Sequence, residues 1–190
     1  MEPAGDIESL RGRHQGLTDC ILRANRETVL DEIGGTAIEL DLRIDTAGAP
    51  MVALDVLRSP DRQEYTRIAF YRNRGFKPVV PGVQSSTPPN GDGTQSLIAI
   101  DSSCASILPD ARSRPPEIAP VFLESDEDLE LRVFVDRSIV EVFVNGRQCL
   151  AIRVYPGRED SIGVSLLSQG RDARLIALDA WSMQDIYSPG

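Results

Sequence analysis

Apolar and polar residues alternate with a period of two through most of the chain. The clearest alternation runs from Leu129 to Val135 and again from Val140 to Val144, with Asp136-Arg137-Ser138 between the two runs. This pattern predicts two antiparallel strands, each with one buried face, joined by a tight turn. Asn145-Gly146 follows the second run and tolerates the positive φ angles of a two-residue hairpin loop. The sequence therefore predicts a hairpin here, with a second turn directly after it.

The same period recurs along the chain. In one typical segment Ile38, Leu40, Leu42 and Ile44 alternate with charged residues, which predicts a strand with one wet face. No stretch of twelve or more residues holds a clean helical period. Many short strands at intervals of roughly 8–12 residues predict an all-β sandwich or closed barrel. The remaining candidate strands are 17–22, 27–30, 52–56, 65–72, 96–101, 148–155, 161–167 and 173–181.

Two segments interrupt the strand pattern, and one polar segment precedes it. Residues 77–95 and 105–120 are rich in proline and predict long loops, with strand pattern resuming after each. Residues 1–16 are mostly polar and predict a lead-in or linker. Because 190 residues suit one β domain, we expect a single β-sandwich over residues 17–190.

Composition narrows the choice of partners and compartment. The 41% hydrophobic content excludes intrinsic disorder, and the net charge of −9 argues against nucleic acid or an anionic membrane as a partner. The first twenty residues contain no apolar signal region, and no run reaches the roughly twenty apolar residues of a membrane span. Cys20, Cys104 and Cys149 are odd in number and widely spaced, which favours small buried thiols over one disulfide plus a spare. We therefore expect a cytoplasmic rather than a secreted protein.

Motifs for catalysis and cofactor binding are missing from the sequence. His14 is the sole histidine, and it falls in the charged lead-in, where a surface or interdomain role is favoured over catalysis. No dinucleotide-binding or Walker-type glycine loop occurs. Asn90-Gly91-Asp92-Gly93 has the composition of a turn and lacks the other ligands of a calcium loop. The sequence thus predicts no cofactor and no metal site.

Several segments resemble one known family. The hairpin at 131–146, Ala151-Ile152-Arg153-Val154-Tyr155-Pro156 and the strand containing Trp181 resemble the C-terminal β-sandwich of glycoside hydrolase family 32, the invertase, inulinase and levanase group. Ile7-Glu8-Ser9-Leu10-Arg11 resembles the link that joins this sandwich to the family's five-bladed catalytic propeller. The resemblance implies a two-sheet antiparallel, lectin-like β-sandwich of the concanavalin-like jelly-roll type. The resemblance is strongest over residues 129–187, which also include Ile162-Gly163-Val164. Ala37–Leu40 and Ile100–Ser103 match further strands, and all the matches lie in the same order as in the family.

The family's catalytic signatures are not in this chain. In the family the acidic residues of catalysis lie in W-M-N-D-P-N-G, R-D-P and E-C strings. The nearest strings here are Arg171-Asp172-Ala173, without the proline, and Glu141-Val142, without the cysteine. A retaining glycosidase needs two carboxyl groups about 5 Å apart, one of them with a raised pKa. We therefore assign no catalytic residue and expect the chain alone to be inactive, within a parent β-fructofuranosidase.

Three functions are left open. The preferred one is a non-catalytic accessory domain of a fructan- or sucrose-cleaving glycoside hydrolase, which contacts a catalytic β-propeller in cis or in trans and stabilises the enzyme and its dimer. The second is a free-standing lectin-like module that binds fructan or a sucrose-type carbohydrate. The third is an assembly domain that pairs with a copy of itself, as a homodimer, or with a separate propeller chain. The candidate residues for carbohydrate or interdomain contact are Trp181, Tyr71 and Phe76.

Overall fold

A computed structural model describes residues 1–76, 94–112, 114–124 and 126–185 of the chain. These residues form a single 3₁₀ turn at Glu8–Leu10 and twelve β-strands, and none of them belongs to a helix long and apolar enough to span a membrane. The strands are β1 (Arg11–Leu22), β2 (Arg26–Gly34), β3 (Ala37–Asp45), β4 (Met51–Arg58), β5 (Thr66–Phe76), β6 (Thr94–Asp101), β7 (Glu117–Val121), β8 (Leu129–Asp136), β9 (Ile139–Val144), β10 (Gln148–Arg153), β11 (Gly163–Gln169) and β12 (Ala173–Met183).

The strands form two antiparallel sheets. One sheet has the order β1-β12-β3-β8-β9-β10, and the other has the order β11-β4-β5-β6-β7. β2 lies beside β11 and extends the second sheet, because the amide of Asn25 donates to the carbonyl of Ser168 (2.7 Å) and the amide of Gly35 donates to that of Ile162 (2.8 Å). The predicted two-sheet antiparallel β-sandwich is confirmed. We call the two layers the β3 sheet and the β4 sheet.

Alternation along the strands builds the core between the sheets. On β3, Ile38, Leu40, Leu42 and Ile44 point inward, and none is more than 4% exposed. Phe70 on β5 is the largest fully buried side chain and packs into the same cluster. Burial of this apolar surface is the main force that holds the layers together. The outward-facing side chains are consequently the ones available for function.

The predicted hairpin is present, and its turns have the expected backbone. β8 pairs with β9 up to Asp136 and Ile139, and the turn between them holds Arg137 at a φ of 52°. Asn145 and Gly146 follow with φ angles of 47° and 62°, the left-handed region that such turns require. The Asn145 side chain fixes its turn by donating to the carbonyl of Asp128 (2.8 Å).

The strand boundaries differ from the sequence prediction at β1, β6 and β7. β6 begins at Thr94, inside the segment predicted as a loop at 77–95, of which residues 77–93 lie outside the described part of the structure. β1 begins at Arg11, so His14 lies within an edge strand, and the expectation that it falls outside the strand framework is wrong. β7 overlaps the end of the segment predicted as a loop at 105–120, and Pro120 is one of its residues. A proline is tolerated there because β7 is an edge strand, where a missing amide donor costs no ladder hydrogen bond.

The prediction of buried thiols is also wrong. Cys104 is exposed, Cys20 and Cys149 are partly buried, and all three are free. Cys104 lies in the turn after β6, where its carbonyl accepts the amide proton of Tyr65 (2.8 Å). Its position is fixed through the backbone, which leaves the thiol at the surface.

Candidate functional site

The outer face of the β3 sheet carries the most elaborate cluster of polar and aromatic side chains. Since the inward positions of β3 are apolar, Glu39 and Asp41 face outward. The register places Trp181 of β12 opposite Glu39, with Phe134 of β8 on the other side of Glu39. The face therefore brings a carboxylate between two aromatic residues that are distant in the sequence.

Glu39 is fully buried although it lies on an outer face. Arg11 donates to both of its oxygens, from Nε to Oε2 (2.8 Å) and from Nη2 to Oε1 (2.7 Å), and Arg132 Nε donates to Oε1 (2.7 Å). Burial alone would raise the pKa of Glu39, but the hydrogen bonds from the two arginines hold this pKa below its usual value. The group is a permanently charged hub between β1, β3 and β8.

Trp181 is covered by the same arginine. The Arg11 guanidinium carbon lies 3.9 Å from the centroid of the Trp181 ring, which is a close cation–π contact. His14 lies on the same ring with centroids 5.1 Å apart, and its Nε2 is 2.7 Å from Oδ1 of Asp179. The indole is thus packed between side chains of β1. We call Trp181, Arg11, Glu39 and Arg132 the Glu39 cluster.

The lead-in ends directly at this cluster. Its 3₁₀ turn precedes Arg11, and the amide of Gln184 donates to the carbonyl of Leu10 (2.8 Å), which ties the turn to the end of β12. Glu8 Oε1 lies 4.0 Å from Nη2 of Arg132 on β8. The amino group of Met1 donates to the carbonyl of Gly146 at the β9–β10 turn. Residues 1–10 therefore cross the β3 sheet from its β9–β10 side to its β1 edge.

The three aromatic candidates do not form one site. Trp181 belongs to the β3 sheet, whereas Tyr71 lies on the outer face of the β4 sheet, packed against an apolar cluster of Met51, Ala53, Ala69 and Leu167. The side chain of Phe76 lies outside the described part of the structure. The role of these residues in carbohydrate or interdomain contact stays a prediction.

The buried carboxylates do not match the needs of glycosidase chemistry. Glu64 is fully buried and accepts hydrogen bonds from the amides of Ile107 (2.6 Å) and Gly157 (2.8 Å) and from Oγ of Ser161 (2.5 Å). Burial opposes its ionisation, but these hydrogen bonds hold the pKa of Glu64 below its usual value. A general acid needs the reverse, a pKa raised toward neutrality. Glu64 and Glu39 are therefore charged structural acceptors.

One outward carboxyl group does have a raised pKa. Burial raises the pKa of Asp41, and the neighbouring carboxylates of Glu39 and Asp179 add to the effect, while Arg132 opposes it. Asp41 and Asp179 are direct cross-strand partners on the outer face of an open sheet, where Asp41 is exposed and Asp179 is half-buried. A glycosidase holds its acid and nucleophile against a bound sugar in a shielded pocket. Asp41 and Asp179 do not lie in such a shielded pocket.

Sequence reasoning missed three members of the Glu39 cluster. The alternation placed Glu39 on a wet face, and Arg11 was assigned to a lead-in. The available signal was the position of Arg11 at the end of Ile7-Glu8-Ser9-Leu10-Arg11, directly before a strand. Its pairing with Glu39 and Arg132 depends on strand order, which local alternation does not report.

Comparison with known proteins decides the family. The family model described as "Glycosyl hydrolases family 32 C terminal" matches residues 6–182. The chain belongs to this family. The β-fructofuranosidase, insoluble isoenzyme 2, of Daucus carota is 32% identical to this family 32 C-terminal domain over 133 residues, which are 67% of the chain and 20% of the carrot protein. The fructan 6-exohydrolase of Beta vulgaris is 38% identical over 71 residues, 34% of the chain and 12% of that protein.

Solved structures show the same fold. Fructan 1-exohydrolase IIa from Cichorium intybus superposes with a TM-score of 0.79 at 18% identity, over 97% of this chain and 38% of the chicory chain. Exo-inulinase from Aspergillus awamori superposes with a TM-score of 0.68 at 17% identity, over 97% of this chain and 32% of that chain. The family 32 C-terminal domain described here thus spans about a fifth or less of the curated relatives it matches, and about a third of these solved chains.

Proposed function

We propose that this chain is a non-catalytic accessory β-sandwich of a fructan- or sucrose-cleaving glycoside hydrolase. The observation that carries the proposal is the Glu39 cluster, which fastens the lead-in to the sandwich through Arg11. The lead-in contains the Ile7–Arg11 segment that resembles the family's link between propeller and sandwich. A rigidly fixed link transmits the position of one domain to the other, which is what a supporting domain requires.

The partner in this proposal is a catalytic β-propeller, in cis or in trans. The solved relatives contain roughly twice as much further chain as the part matched here, enough for a separate catalytic domain. In this proposal the propeller contacts the side of the sandwich on which the lead-in crosses the β3 sheet. Stabilisation of the enzyme follows from such a contact, and a dimer through the sandwich is an extension of the same proposal.

Two details favour packing over sugar binding at Trp181. Its ring already contacts Arg11 and His14, so the indole is engaged within the chain. Tyr71, the other candidate whose side chain is described, lies on the opposite layer, so Trp181 and Tyr71 cannot form one sugar platform. Binding of fructan by the free-standing domain is therefore the less favoured function.

Two measurements test the proposal. The purified chain is incubated with sucrose, inulin and levan, and we expect no release of fructose; turnover that persists through purification would refute a non-catalytic role. In parallel, the native product is sized by size-exclusion chromatography and immunoblotting of a source-cell extract. We expect the antigen to migrate with a propeller-bearing polypeptide, well above 20.8 kDa. A lone 20.8 kDa species that retains inulin or levan on a column would favour the binding module instead.

A further inference from the structure

A small pocket lies at one end of the sandwich, away from the Glu39 cluster. It is enclosed between the loop that follows β6 and the segment that follows β10, and its volume is about 40 Å³. Since one water occupies about 10–15 Å³ on this measure, the pocket has room for one tetrahedral oxyanion. Its polar wall consists of Ser102, Ser103, Ser106, Arg112, Arg153 and Tyr155.

The two arginines of the pocket are free to bind a ligand. Most arginines with structural roles here pair with a carboxylate, as Arg58 pairs with Glu27 and Arg67 with Asp55. Arg112 and Arg153 are exposed, and their guanidinium groups have no hydrogen-bond or ion-pair partner in the part of the chain that the structure describes. Among the described residues no carboxylate lines this pocket, and the nearby Asp101 carboxylate is bonded to the hydroxyl of Ser103. Two unpaired guanidinium groups at one pocket, in a chain of net charge −9, indicate attraction for an anion.

Hydroxyl groups supply further donors. Ser106 Oγ accepts the amide proton of Leu108 (3.1 Å), and its own proton remains available. The Ser102 hydroxyl has no partner among the described residues. Ser103 is different, because its Oγ donates to Oδ1 of Asp101 (2.6 Å) and it is committed to that contact. Two hydroxyl donors and two guanidinium groups match the acceptors of a phosphate group.

Glu64 fixes the walls of the pocket. Its carboxylate accepts the amide of Ile107, which follows Ser106, and the amide of Gly157, two residues after Tyr155. One fully buried carboxylate therefore holds both walls in place before any ligand arrives. Preorganised walls reduce the entropy that a ligand must offset on binding.

We propose that this pocket binds a phosphate group, carried either by inorganic phosphate or by a sugar phosphate, through Arg112 and Arg153. Tyr155, at the rim, is 54% exposed and offers an aromatic face to a sugar attached to the phosphate. The site is separate from the Glu39 cluster. A negative result for phosphate binding would therefore leave the proposed accessory role intact, and a negative result for the accessory role would leave phosphate binding intact.

Isothermal titration calorimetry on the whole chain tests the site, with inorganic phosphate, fructose 6-phosphate and fructose as probes at constant ionic strength. We expect saturable binding of both phosphates and none of fructose alone. Arg112→Gln and Arg153→Gln should each weaken binding about tenfold, the effect of losing one charge-assisted hydrogen bond. Arg26→Gln removes an equally exposed charge at the start of β2 and should leave binding unchanged.

The variants distinguish the possible results. Tyr155→Ala should weaken fructose 6-phosphate and leave inorganic phosphate unchanged if the natural ligand is a sugar phosphate; equal affinities before and after this change identify inorganic phosphate. Absence of saturable phosphate binding would overturn the proposal, as would equal weakening by Arg26→Gln. Displacement of phosphate by acetate at equal concentration would show a general carboxylate site and also overturn it. Unchanged circular dichroism spectra confirm that each variant is folded.

Discussion

Arg11 donates two hydrogen bonds to Glu39, 28 residues further along the chain, and thereby fastens the start of the first strand to the middle of the β3 sheet. The contact is bidentate and fully shielded at the Glu39 end, the geometry in which an arginine–carboxylate pair is strongest. Arg132 completes the arrangement from β8. A buried charge with two partners is costly to disturb, because removing it leaves the partners uncompensated.

Replacing Glu39 should therefore destabilise the domain strongly. We expect Glu39→Gln to lower the free energy of unfolding by about 3 kcal/mol, since two guanidinium groups lose their anion. The measurement is urea unfolding followed by circular dichroism. Glu130→Gln, at an exposed position on the outer face of the adjacent strand β8, is the matched control and should change stability by less than about 0.5 kcal/mol. If both substitutions lowered the free energy of unfolding by the same amount, the hydrogen bonds of the Glu39 cluster would not be a particular source of stability.

The second prediction concerns Glu64 and the two loops whose backbone amides it binds. Glu64→Gln replaces a charged acceptor by an amide that cannot accept the same set of hydrogen bonds. We expect a loss of about 2 kcal/mol in unfolding free energy, from weakened hydrogen bonds to a charged group. Amide hydrogen exchange at Ile107, Gly157 and Arg158 should quicken. Glu159→Gln on the same loop is exposed and should leave these amides protected; unchanged exchange in Glu64→Gln would contradict this account.

The third prediction concerns acid stability. Arg58, together with Ser165 and Arg62, lowers the pKa of Glu27 from 4.5 to about 2. A pKa that is lower in the folded than in the unfolded state stabilises the fold above the unfolded value, and this contribution is lost as pH falls through the folded value. The difference corresponds to about 3 kcal/mol at neutral pH. Its loss should extend from about pH 4.5 down to pH 2.

The test compares urea unfolding of the natural chain and of Glu27→Gln across this range. We expect the stability gap between them to be largest near pH 7 and to shrink progressively below pH 4.5. Glu159→Gln again serves as the control, with a gap near zero at every pH. A gap for Glu27→Gln that does not change between pH 7 and pH 2 would rule out ionisation of Glu27 as its cause.

Local alternation was sufficient to predict most of the strands. The runs around Leu40 and Val133 became β3 and β8 because one face of each had to be buried. β7 is not predicted from the sequence, because Pro120 indicates a loop. The proline is tolerated only because β7 lies at the edge of the β4 sheet. Whether a strand lies at the edge or in the centre of a sheet depends on the arrangement of all its strands, so a local sequence pattern does not predict it.

The candidate site was less predictable than the fold. Trp181 was identified from its resemblance to the closing strand of the family's sandwich, but its partners were not. Glu39 has the sequence context of an ordinary surface acid, and it is buried only because β12 and β8 flank β3 in the sheet. Burial of a polar residue on an outer face arises from long-range pairing, so a pattern with a period of two predicts the opposite.

The close approach at Gly34 has a similar origin. A Cβ atom built on Gly34 would lie 2.4 Å from the carbonyl oxygen of Ile162, on the neighbouring strand segment. No side chain larger than hydrogen fits there without moving the backbone.

The position of β12 between β1 and β3 determines when the domain can fold during synthesis. β1 leaves the ribosome first, whereas its neighbour in the sheet, β12, is the last of the twelve described strands to be translated. Until β12 arrives, the facing edges of β1 and β3 have no ladder partner between them, and Arg11 has no indole to stack on. The nascent chain therefore carries two open edges for most of its translation, a state prone to pairing with other chains. Completion of the β3 sheet therefore has to await the synthesis of β12, which joins β1 to the other four strands.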